Sequence, residues 1–117
     1  MNTANLDLVC AEYGDKIAKK IGNEVPIMKS LGVLQEDGVY AFFLYCQSKG
    51  EKDIGSECYG FLKDDRILKT LFNDSNDLLK AVREVFKDKL NQLLFAKELL
   101  ERTLIYARYH AKALGGD

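Results

Sequence analysis

The amino-acid sequence predicts an all-α protein, a single small helical bundle of about five to six helices with a long C-terminal helix. Two observations carry this expectation. Apolar residues recur every three or four positions along most of the chain, which marks one face of a helix. Only one segment, around Val39 to Cys46, has strand-like composition, and a strand there would have no second strand to pair with. The 117 residues form one domain, 1–117, because a chain this short supports one modest core and not two.

Leu6, Cys10, Tyr13, Ile17 and Ile21 lie on one face of a first helix, and Gly22 suits its stop. Gly14 inside this helix weakens it slightly. A new element begins at Glu24-Val25-Pro26, since proline suits a first helical turn, and Pro26 to Leu34 makes a short apolar-faced helix. Gln35-Glu36-Asp37-Gly38 reads as a turn, with Asp37 able to cap the next helix. Val39 to Lys49 is then a buried helix stopped at Gly50. Residues 51–63 contain Gly55 and Gly60 and make at best a frayed helix. Asp64 or Asp65 caps a short helix over Ile67, Leu68, Leu71 and Phe72. Asn73-Asp74-Ser75 starts the next helix, which has Leu78, Leu79, Val82, Val85 and Phe86 on one side. The last helix runs from about Lys89 to Leu114, before Gly115-Gly116.

Composition excludes several classes of function. Seventeen Lys and Arg face 18 Asp and Glu, a net charge of -1, so the whole surface is not built to attract nucleic acid or membrane. The longest apolar run is far shorter than the roughly 20 residues a membrane helix needs. Met1-Asn2-Thr3-Ala4 has no basic start and no apolar stretch after it, so no signal peptide is legible. Cys10, Cys46 and Cys58 are three widely spaced cysteines, without CxxC or CxxCH spacing. They read as reduced, buried thiols of a cytoplasmic protein. No metal or other cofactor is expected. His110 is the single histidine, and no nucleophile or metal set accompanies it, so it reads as a surface or core residue rather than a base. No glycine-rich phosphate loop is present, and Asp64-Asp65 reads as helix-cap chemistry. The expected class is not an enzyme.

Charge is uneven along the chain. Residues 1–77 hold 9 basic and 13 acidic side chains, and residues 78–117 hold 8 and 5. On a helical wheel Lys80, Arg83 and Lys87 line the side of their helix opposite its apolar residues. Such a stripe can track a phosphate backbone; the alternative is a plain solvated face, moderated by Glu84. In the last helix Lys97, Arg108 and Lys112 share a sector with Glu98 and Glu101, interrupted by Leu94, Ile105 and Tyr109. The rest of that helix is apolar almost all round. It is either central in its own bundle or covered on its outer side by a partner, and Leu94, Ile105 and Tyr109 are the candidate subunit-interface residues.

The chain resembles one family. Pro26-Ile27-Met28 leads to Leu34-Gln35-Glu36-Asp37-Gly38-Val39, then Phe43, Tyr45 and Ser48-Lys49. A long C-terminal helix comes after these, with Ala96-Lys97-Glu98, Ile105 and Arg108-Tyr109. This order is similar to the small α-helical subunit of the type III-B CRISPR effector, the Cmr complex. Asp37 stands where that family has Asn in its turn, the gap from Pro26 to Gly38 is longer, and Ile105 replaces an aromatic. The resemblance covers roughly residues 25–50 and 78–114, through apolar helix patterns of low specificity.

The resemblance implies a small bundle without an active site, several copies of which stack along an RNA-guided complex active in antiviral defence. The implied partners are the backbone and large subunits, further copies of the chain, and the guide RNA–target RNA duplex, contacted through its backbone. Sequence would be read by base pairing with the guide and not by this chain. Lys80, Arg83 and Lys87 are the first candidate RNA-binding set. Lys49, Lys97, Arg108 and Lys112 form the second, supported mainly by the resemblance. The rival class is a helical adaptor or regulator that touches only protein, and a small subunit of another type III effector would differ only in its partners.

Overall fold

A computed structural model describes residues 3–64, 66, 67 and 77–115. These form six α-helices and no strand: α1 (Thr3–Ile21), α2 (Glu24–Asp37), α3 (Val39–Ser48), α4 (Lys52–Leu62), α5 (Leu78–Phe86) and α6 (Leu90–Leu114). The all-helical class and the long last helix are as the periodicity predicts. Twenty-five residues make α6 about 37 Å long, close to the 43 Å longest extent of the molecule.

The helices share one core, because the apolar stripe of each must be removed from water. Cys10, Ile17, Leu34, Phe42, Phe43, Phe61, Leu100 and Leu104 are completely or almost completely buried in it. Aromatic edges meet faces at its centre: Phe42 and Phe43 have ring centroids 5.0 Å apart, Tyr13 and Phe61 5.2 Å. α6 is central. It packs most extensively on α1 and, on its other flank, on α2.

The close α1–α6 contact is made possible by small residues. Cys10, Gly14 and Ala18 lie one turn apart on α1 and face Thr103, Ala107 and Ala111 of α6, all of them buried. A Cβ on Gly14 would stand 2.7 Å from the Tyr106 Cβ and 2.9 Å from the Ala107 nitrogen. Gly14 is therefore the point of closest approach of two helices and not a weakness within one.

Local signals fix the ends. Asn23 caps α2, its Oδ1 accepting from the Val25 N–H at 2.9 Å, so α2 starts before Pro26 and runs on to Asp37. Asp37 is not the cap of α3. Gly38 takes that place, with φ +99° and ψ -177°, a conformation open essentially to glycine alone. Its N–H donates to the Leu34 carbonyl, so this one residue ends α2 and starts α3. Residues 52–62 correct the expectation of a frayed segment. They form α4 and bury Ile54, Cys58, Tyr59, Phe61 and Leu62, while Gly55 lets α4 approach Cys46 of α3. The short helix expected over Ile67 to Phe72, and the start signal Asn73-Asp74-Ser75, lie outside the described residues except for Ile67, which sits in a turn. The cap of α5 is Asp77, whose side chain accepts from the Lys80 N–H.

Candidate nucleic-acid interface

α5 turns Ala81, Val82 and Phe86 into the core. At 3.6 residues per turn this leaves Lys80, Arg83 and Lys87 outward, and all three are exposed. Neighbours three or four apart on a helix stand about 5–6 Å from one another, so the three cations form one short row. Glu84 and Asp88 are also exposed on this element and reduce its net charge without pairing with the row.

Some of the other described cations are ion-paired, while others, Lys29, Lys52 and Lys89 among them, are not paired with a described residue; what sets this row apart is three unneutralised cations at helical spacing on one face. Lys19 meets Asp15 at 3.0 Å, Lys20 meets Glu57 at 3.3 Å and Arg66 meets Glu12 at 2.8 Å. Arg102 lies between Asp7 and Glu98. Lys80 and Lys87, by contrast, form no ion pair with any described residue. Arg83 has a partner, but a neutral one. Its Nη1 donates to the Tyr40 hydroxyl at 2.9 Å, and its guanidinium carbon lies 5.7 Å from the centre of the Tyr40 ring. The charge of Arg83 is thus held in place without being neutralised. Below it, an open groove of about 340 Å³ runs between α3 and α5, lined by Val39, Tyr40, Val82, Phe86 and Leu93 among others, with Asp37 also on its rim.

The second candidate set is not brought together. Arg108 is neutralised by Glu24, whose Oε1 is 3.3 Å from its Nε. Lys97 donates to the Gln35 carbonyl at 3.3 Å. These two contacts tie α6 to opposite ends of α2, so both side chains hold the fold together. Lys49 lies just past the end of α3, and Lys112 is in the last turn of α6, fifteen residues or about 22 Å from Lys97. Lys49 and Lys112 are exposed and unpaired among the described residues.

Leu94, Ile105 and Tyr109 all lie on the outer side of α6, 54%, 39% and 64% exposed. They are therefore not part of the chain's own core. Their charged neighbours Glu98, Glu101 and Lys112 share this side. Met28 of α2, also exposed, lies toward the same flank, one turn from Glu24, which meets Arg108.

Several of the remaining titratable groups form clasps. Asp64 accepts from the Tyr13 hydroxyl at 2.8 Å, from the Arg66 N–H at 2.9 Å and from the Arg66 guanidinium at 2.8 and 2.9 Å. The Arg66 bonds, above all, hold its carboxyl well below the usual carboxylate range. Burial and then Asp64 push the Tyr13 phenol up to about 12. Tyr106 donates to Asp7. His110 lies at the surface, its Nδ1 3.7 Å from an oxygen of Asp15. The three cysteines are free and buried; burial pushes the Cys46 thiol up to about 12 and also holds the Cys58 thiol well above the ordinary thiol value. Among the described residues no group of His, Cys, Asp or Glu is placed to hold a metal ion. No helix among them is long and apolar enough to cross a membrane.

Sequence reasoning missed Tyr40. It reads there as one more aromatic of a buried helix, and nothing local links it to Arg83, 43 residues away. Comparison with protein-family models, curated proteins and solved structures gives no match.

Proposed function

We propose that this chain is a non-catalytic small subunit of an RNA-guided effector of the type III-B CRISPR class, and that it lays the α5 row against phosphates of the guide RNA–target RNA duplex. Its neighbours in this reading are the backbone and large subunits and further copies of itself, some of them met through Leu94, Ile105 and Tyr109. The observation that carries the reading is the α5 face: three cations in one row, none neutralised by a described carboxylate, in a chain whose net charge is -1. Phosphate contacts position a protein without reading sequence, which suits a subunit whose complex reads by base pairing. The resemblance over residues 25–50 and 78–114 supplies the name of the complex.

A second reading, an adaptor that binds only protein, is favoured by the exposed Leu94, Ile105 and Tyr109. One experiment separates the two. Lys80, Arg83 and Lys87 are changed together to Glu, and the chain is purified with its complex from the native host. The RNA reading expects assembly intact, retention of target RNA weakened alike for every sequence, and a flatter dependence on salt. Unchanged RNA retention and salt slope with assembly intact would leave the adaptor reading.

A further inference from the structure

The α5 row contains two kinds of cation. Lys80 and Lys87 are long, flexible and unattached. Arg83 alone is fixed from outside its own helix, by a hydroxyl at 2.9 Å and by the ring beneath it. A guanidinium has five N–H donors in a rigid plane, and Tyr40 occupies one of them. The others stay available for a phosphate, to which Arg can present two parallel donors. Tyr40 is itself fixed. It is half-buried in the second position of α3, directly after Val39, which is buried in the core and begins just past the Gly38 turn.

We infer that Tyr40 is a positioning residue for RNA: it holds Arg83 in the orientation that receives a backbone phosphate, while Lys80 and Lys87 on either side contribute charge without fixed geometry. This rests on the RNA reading proposed above and assigns the one directional contact within it. The physical reason is side-chain entropy. A free Arg loses rotamer freedom when it binds, whereas one already fixed loses little, so preorganisation raises affinity without adding charge.

A loss of affinity at constant charge leaves the salt slope unmoved, and its dependence on Arg83 is not expected of a purely structural role. Affinity of the full chain for a fluorescein-labelled RNA duplex of arbitrary sequence is measured by anisotropy over a range of salt. Tyr40→Phe keeps the ring and removes the hydroxyl. It should weaken binding about threefold with the salt slope unchanged, because no charge is lost. Arg83→Ala should weaken it about tenfold and lower the slope by about one. In the Arg83→Ala background, Tyr40→Phe should have no further effect, since Tyr40 acts through Arg83. Arg83→Lys should not restore the loss in full, because an ammonium lacks the fixed plane. Additive losses in the double variant would overturn the inference by making Tyr40 a direct RNA contact. Unchanged affinity in Tyr40→Phe and Arg83→Ala, with loss in Lys80→Ala and Lys87→Ala, would sink it and leave the RNA reading standing. No effect from any of the four would remove both. Thermal unfolding of each variant shows whether the bundle is intact.

Discussion

At the scale of single residues, a handful of polar side-chain contacts join distant parts of the chain. Asp64 is the clearest. It sits just past α4, accepts from Tyr13 of α1 and is bracketed by the Arg66 guanidinium, which reaches on to Glu12. Its carboxyl is held low in the folded chain, so it binds fewer protons there than in the unfolded chain. The stability it contributes is therefore present above the unfolded value of about 4 and is lost as pH falls below that. Asp64→Asn should lower stability at neutral pH by about 1–2 kcal/mol and make acid unfolding less steep below about pH 4, as measured by denaturant titration across pH. The cysteines give a second expectation. Cys10, Cys46 and Cys58 are each fully buried, and burial raises all three thiols. They should resist iodoacetamide in the native chain at mildly alkaline pH and react once it is unfolded, which intact-mass measurement will read as zero and then three additions. Rapid labelling of the native protein would mean that the core opens locally.

At the scale of elements, glycine decides where helices meet. Two glycines in helix interiors have opposite surroundings. Gly14 touches Tyr106, Ala107 and Thr103 of α6, whereas nothing lies within 4 Å of a Cβ built on Gly32 of α2. Gly14→Ala should destabilise the chain by about 1–3 kcal/mol by forcing α1 from α6, despite the better helix propensity of alanine. Gly32→Ala should stabilise it by about 0.5–1 kcal/mol. Thermal unfolding of the two variants checks both signs. The same contrast explains which elements were legible in the sequence. Regular apolar stripes revealed α1 and α5, because one face of each meets a single continuous core, and α6 was legible as one long helix apolar almost all round. α4 was obscured because Gly55 and Cys58 lie on its buried face, and a close approach to Cys46 is invisible until α3 is in place. The outward row on α5 was legible because a wheel needs only its own helix. The partners of Arg83, Lys97 and Arg108 were not, since they lie 43, 62 and 84 residues away in sequence.

At the scale of the whole molecule, α6 presents a conflict that the described residues do not resolve. Its inner side is filled by Ala96, Leu99, Leu100, Leu104, Ala107 and Ala111, which are buried against α1, α2 and the rest of the core. Its outer side still carries Leu94, Ile105 and Tyr109, and 64% of Tyr109 is in water. Scattered exposed apolar residues are ordinary, but these lie on one side of one helix, with Ile105 and Tyr109 one turn apart. Their exposure makes folding and assembly separable. Ile105→Asp and Tyr109→Asp place a charge where water already has access, so each monomer should keep its helical circular dichroism and lose about 1–2 kcal/mol of stability, mostly the apolar surface these side chains still cover. If this side is covered by a neighbouring subunit, the same charge must be stripped of water there without a partner, which costs several kcal/mol and weakens assembly strongly. Sedimentation of the variant complexes, set beside circular dichroism of the isolated chains, reads the two effects apart. Loss of helicity in the isolated variants would assign these side chains to the fold. Intact monomers in a fully assembled complex would instead leave the outer side of α6 facing solvent, and the proposed contact between subunits would have to lie on another face.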